Sequence, residues 1–270
     1  MTATLARPAP LTSRLWNDAP GYTWLALLLT AALVPLTAAL VLDVRLFLGD
    51  PVWLKPVKFH VALSIYLATL AIYARFMADG MRPRFWRNFA RVIIAAILFE
   101  VVWIGAAAAL GTASHFNETS ALWVMLYALA GVGAVTLTSA SLAMGLSIRA
   151  NRATGLPAAL HLSLWLGLVL TFVLTLIVAG TMSSAGSHHV GLPVTGAQVP
   201  FMGWSREVGD LRVAHFLATH ALHAIPLAGL AATRLLPDRH ATATVVAASL
   251  GYSALVLGIF LQALAGLPLI

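Results

Sequence analysis

Seven times along this chain an apolar run reaches the length needed to cross a bilayer, and that repetition limits its architecture more than any other feature. A helix rising about 1.5 Å per residue needs roughly 20 apolar residues to traverse a hydrocarbon core about 30 Å thick. The runs cover 22–43, 55–78, 88–111, 121–148, 157–181, 211–234 and 243–268. Only 9% of the residues are charged and 60% are hydrophobic, whereas soluble domains carry about 25% charge. The runs are too long and too rich in Gly and Ala for the alternating strands of a barrel, about 10 residues each. The expectation is an all-α polytopic membrane bundle of about seven transmembrane helices. A tail at 1–21 leads into a single bundle domain at 22–270, with a long external loop at 182–210.

The formal charge of +7 invites a nucleic-acid reading, but the cations sort by loop in the way membrane topology requires. With the N-terminus cytoplasmic, the inner segments hold Arg7, Arg14, Arg75, Arg82, Arg84, Arg87, Arg91, Arg149, Arg152, Arg234 and Arg239. The outer segments hold Arg45, Lys55, Lys58, Arg206 and Arg212. Such a bias predicts a cytoplasmic N-terminus and an external C-terminus, and it makes membrane lipids, not nucleic acid, the expected partner. The run RPRFWRNFAR at 82–91 reads as a topology anchor or a phospholipid-binding patch.

Cysteine is absent, which excludes thiolate ligands, iron–sulfur clusters and cysteine nucleophiles. Chemistry then falls to the polar residues inside or beside spans, where charge and imidazole are costly. The second span opens WLKPVKFH, with Lys55, Lys58 and His60 in its outer turns, and the third carries Glu100 near its midpoint. Loops GTASHFNETS and GTMSSAGSHHVGLPVTGAQVPFMGWSREVGD bring His115, His188 and His189 to the same outer side. The sixth span begins with Asp210 and Arg212 and continues with His215, His220 and His223, three imidazoles within a helical arc of roughly 140°. Pro226 below them frees a backbone carbonyl.

Imidazole with carboxylate is the ligand set of zinc and non-haem iron. Haem is a second chemistry, because His60 and His215 lie at matching depths and Lys55, Lys58 and Arg212 suit propionates. A third reading has no cofactor: Glu100 and the sixth-span histidines exchange protons along a solute path, or the chain serves as an accessory subunit of a membrane-protein complex.

The segments WLKPVKF at 53–59, SHFN at 114–117, SHHVG at 187–191 and GDLRVAHFLATHAL at 209–222 resemble a family of bacterial multi-pass membrane proteins without an assigned activity. The resemblance implies a bacterial cytoplasmic (inner) membrane location. It places weight on Lys55, Lys58, His115, His188, Asp210, Arg212, His215 and His220, and His60 and His223 depart from its pattern. The reading that follows expects metal ligands His115, His188, His215 and His220 in a pocket open to the periplasmic side. Glu100 or Asp210 would be the catalytic carboxylate, Lys55, Lys58 and Arg212 would be cofactor-binding, and a lipid or small amphiphile would be the substrate.

Overall fold

In a computed structural model the chain is all-α apart from two short strand pairs. The structure describes residues 11–81 and 83–270, so Arg7 and Arg82 of the basic tally lie outside the described residues. Among the described residues seven helices are long and apolar enough to cross a membrane, which makes the chain a polytopic helical protein. Their bounds follow the apolar runs to within five residues, and the last span shows such a shift at its start. It starts at Asp238, five residues early, because a carboxylate in the first turn complements the helix dipole.

The chain divides into two compact units, residues 1–114 and 115–270. In the first, α1 (Leu11–Asp18) leads into α2 (Pro20–Leu42). The Thr23 hydroxyl ties the two by donating to the carbonyls of Leu15 and Ala19 at 3.0 and 2.9 Å. A hairpin of β1 (Leu46–Phe47) and β2 (Asp50–Pro51) precedes α3 (Leu54–Tyr73), and α4 (Arg84–Leu110) completes the unit. Leu67, Leu70, Ile93, Ile97 and Ile104 form its fully buried interior.

The second unit comprises α5 (Ala121–Ala150), α6 (Ala158–Ala185), β3 (His189–Val190), β4 (Gly209–Asp210), α7 (Leu211–Leu235) and α8 (Asp238–Leu264). Its closest joint is α6 on α7, where small residues let backbones approach. A Cβ on Gly229 would overlap Ser163 Oγ, and one on Gly167 would stand 2.8 Å from Pro226 Cδ. Thr171 Oγ1 bridges the same joint, donating to the Gly167 carbonyl and accepting from the Leu222 amide at 2.7 Å, one turn before Pro226. Leucines and valines such as Val34, Leu42, Leu250 and Leu261 point outward and stay exposed. Apolar side chains spread over a helix exterior suit lipid, because in water such a surface would drive aggregation.

Candidate functional site

The expected site residues fall in both units: Lys55, Lys58 and Glu100 in the first, His115, His188, Asp210, Arg212, His215 and His220 in the second.

In the first unit the polar residues brace one another. Lys55 Nζ donates to Ser114 Oγ at 2.6 Å, and the Trp103 indole donates to the Ser114 carbonyl at 2.9 Å. Glu100 lies a turn before Trp103, only 3% exposed, and interacts electrostatically with Lys55. Ser114 therefore joins α3 to the end of α4, which its place in a loop did not announce. His60 Nδ1 bonds the Pro56 carbonyl at 2.8 Å, within its own helix. At the same end Asp43 accepts from Arg45 and from the Trp53 indole at 2.8 Å, while Arg45 Nη1 reaches the Ala109 carbonyl at 3.1 Å. Arg45 first, then Trp53, holds the Asp43 carboxyl well below the usual carboxylate range.

In the second unit the sequence segments HFN at 115–117, SHHVG and GDLRVAHF meet at one end. The His115 ring lies 5.7 Å from that of Tyr127, and Phe116 contacts both Tyr127 at 5.4 Å and His188 at 6.4 Å. His188 packs on His189 at 4.2 Å. The resulting cluster packs its rings edge to face except for the tilted Phe116–His188 pair, with Phe116 bordering both imidazoles. Among the described residues no group of three or more His, Asp or Glu side chains is placed to hold a metal ion.

His189, not His188, reaches the helix start. Its Nε2 lies 3.5 Å from Asp210 Oδ2, and its backbone pairs with Asp210 across β3 and β4. Asp210 caps α7 by accepting from the Arg212 amide at 3.0 Å, receives the Arg212 guanidinium at 2.6 and 2.9 Å, and accepts from the Ser205 amide at 2.9 Å. Arg212 also donates to the Gly203 carbonyl at 2.5 Å. Burial alone would raise the Asp210 carboxyl, but His189 and Arg212 together outweigh it and hold the group well below its ordinary value. Gly209 is obligatory beside this cap, since a Cβ there would overlap the Ala263 carbonyl oxygen. Glu207 pins the loop between β3 and β4 by accepting from the amides of Val194, Thr195 and Ala197 and from the Thr195 hydroxyl.

Below the cap, α7 presents its other polar residues. Trp204, Phe216, His220 and His223 form a ladder of rings with centroids 5.6, 4.1 and 5.5 Å apart. His220 Nδ1 bonds the Phe216 carbonyl at 2.7 Å. His215 interacts electrostatically with His220, yet its buried Nδ1 has no hydrogen-bond partner. The buried hydroxyl of Thr175 on α6 also lacks one.

These two atoms lie about one helical turn apart along the α6–α7 joint. Thr171 meets Leu222, Leu174 packs with Ala218, and Val178 packs with Leu211 and Ala214, so the antiparallel register sets Thr175 and His215 at neighbouring heights. His215 lies seven residues before Leu222 and Thr175 four after Thr171, which puts each on the face its helix turns toward the other. Nothing in the sequence marked Thr175, because most threonines in such helices donate to their own preceding turn, as Thr171 and Thr181 do.

No protein-family model, curated protein or solved structure matches this chain.

Proposed function

We propose that this protein is a proton-handling carrier of the membrane, with its exchange site in the second unit at His215 and Thr175. The observation that carries the reading is the pair of buried polar atoms without hydrogen-bond partners on adjacent antiparallel helices, about one helical turn apart. Such atoms are costly in a bundle interior unless a small hydrogen-bonding guest satisfies them. An imidazole can accept or release a proton, and a hydroxyl can accept or donate as needed. His220 and His223 continue the series along α7, and intramembrane histidine chains of this kind serve proton relays. The arginine bias favours an external location for the Asp210 end.

Reconstitution into vesicles holding a pH-sensitive dye, with an imposed potential, tests this reading. The expected result is proton flux in the wild type, lost in His215→Gln, lowered in Thr175→Val and unchanged in His240→Gln. Equal flux in wild type and His215→Gln refutes the assignment. Metal content and absorption of the same sample distinguish the other chemistries. About one zinc or iron per chain, lost in His215→Ala, replaces the proton reading with a metal-centred site for a lipid or amphiphile, and a Soret band replaces it with haem.

A further inference from the structure

The loop between β3 and β4 is a hairpin with its own framework. Gln198 bridges to Ser205, the Arg206 amide donates to the Ala197 carbonyl at 2.9 Å, and Glu207 holds the turn at 194–197. At the tip the Val199 amide donates to the Trp204 carbonyl at 2.7 Å, and the Gly203 amide to the Val199 carbonyl at 2.9 Å. These bonds keep Phe201 at a φ of 66°, a left-handed conformation that a bulky residue adopts only when its surroundings impose it. What the framework presents is apolar. Leu192, Val194 and Phe201 are 90%, 93% and 83% exposed, and no Asp, Glu, Lys or Arg occurs from Gly191 to Gly203. In water such a surface would be a liability, because a loop fixed in this way cannot fold its apolar side chains inward.

The attachment of the hairpin gives its depth. Arg212 holds the Gly203 carbonyl, and the Trp204 ring lies 5.6 Å from that of Phe216, so this arm lies along the first two turns of α7. Helix α7 has 25 residues and is therefore roughly 37 Å long, several ångströms more than a hydrocarbon core of about 30 Å. Its first turns accordingly fall in the interfacial layer, where an indole such as that of Trp204 is at home. Phe201 is two residues from Gly203, a reach of at most about 7 Å, so the tip cannot stand far from that layer.

We propose that this hairpin is an interfacial anchor, which buries Phe201, Leu192 and Val194 at the boundary of headgroups and acyl chains in the leaflet at the Asp210 end. Its partner is the apolar zone of a lipid surface, since the segment carries no cation to meet a phosphate. The contact holds the loop down on the bilayer beside the start of α7. It does not depend on the role of His215.

The chain has no cysteine, so single cysteines can carry a bimane probe in the full-length protein reconstituted into nanodiscs. Phe201→Cys and Val194→Cys are expected to show blue-shifted emission, quenched by phospholipids brominated high on the acyl chain and shielded from aqueous iodide. Arg206→Cys, on the other arm of the hairpin, should show the reverse, which separates the site from the probe's own affinity for lipid. All three positions are exposed, so the substitutions leave the fold intact. The readings should be the same in phosphatidylcholine discs and in discs that also hold phosphatidylglycerol. Adding Phe201→Ser to the Val194→Cys protein should raise iodide access at 194. Iodide access at 194 and 201 equal to that at 206 overturns the anchor. Shielding from both quenchers overturns it in favour of a protein partner or a second copy seated on the patch. Lipid quenching seen only in the anionic discs overturns an apolar contact in favour of a charged one.

Discussion

Asp210 and His215 stand five residues apart in the second unit and are treated oppositely by their neighbours. The Asp210 carboxylate receives Arg212, the Ser205 amide and the Arg212 amide, with His189 alongside. His215 Nδ1 is equally removed from solvent and receives nothing. A buried polar group saturated by its own chain serves as a joint, because its removal strands the partners. One left open adds little to stability, so its presence calls for a functional account. The contrast separates the start of α7, which holds the fold, from the face below it, where the proposed exchange site lies.

The sharpest break of this contrast is Asp210→Ala. It leaves Arg212 and the Ser205 amide without their acceptor and removes the helix cap. Because the Arg212 side chain is 31% exposed, the cost is discounted to about 3 kcal/mol, measured as a fall in the melting temperature of detergent-solubilised protein. Gly209→Ala, which forces a methyl against the Ala263 carbonyl, should cost about 2 kcal/mol in the same assay. Thr171→Val removes the acceptor of the Leu222 amide and should cost about 1 kcal/mol. His215→Leu should leave the melting temperature within a degree or so while abolishing proton flux. A loss comparable to that of Asp210→Ala would collapse the distinction between joint and open face.

A gentler probe is acid. The Thr195 hydroxyl, with the amides of the 194–197 turn, lowers the Glu207 carboxyl from 4.5 to about 2. A depressed carboxyl stabilises the folded loop fully above its ordinary value of 4.5, and that contribution fades as pH falls through about 2. Pepsin should therefore cleave the 191–203 segment increasingly across that window while the helices resist. Glu207→Gln should be cleaved at a rate that no longer follows the titration. A loop equally protected at both ends of the window would show that Glu207 does not hold it.

The spans were legible because hydrocarbon imposes length and composition directly on sequence, and a run such as 121–148 admits no other use. The cap of α7 was legible in part: Asp210 and Arg212 stood out as charges at a span start, but His188 and His189 are chemically identical in a loop. Only the antiparallel pairing of His189 with Asp210 decides which imidazole reaches the carboxylate. Thr175 could not be read at all, since its significance lies in a hydrogen bond it lacks and in the α6–α7 register. Helix α1 was expected as tail, being too short for a membrane signal and recognisable only through its packing on α2.

The absence of space between α6 and α7 has a mechanical consequence. Helices locked at Gly167 and Gly229 cannot slide or roll on each other without driving backbone into side chain, so the pair behaves as one stiff lever with His215 and Thr175 fixed on it. Within the second unit, any stroke that alternately opens the proposed site must then come from α5 or α8. Helix α5, with 11% of its most apolar window buried, has the fewest constraints and is the place to attach a spectroscopic probe of movement.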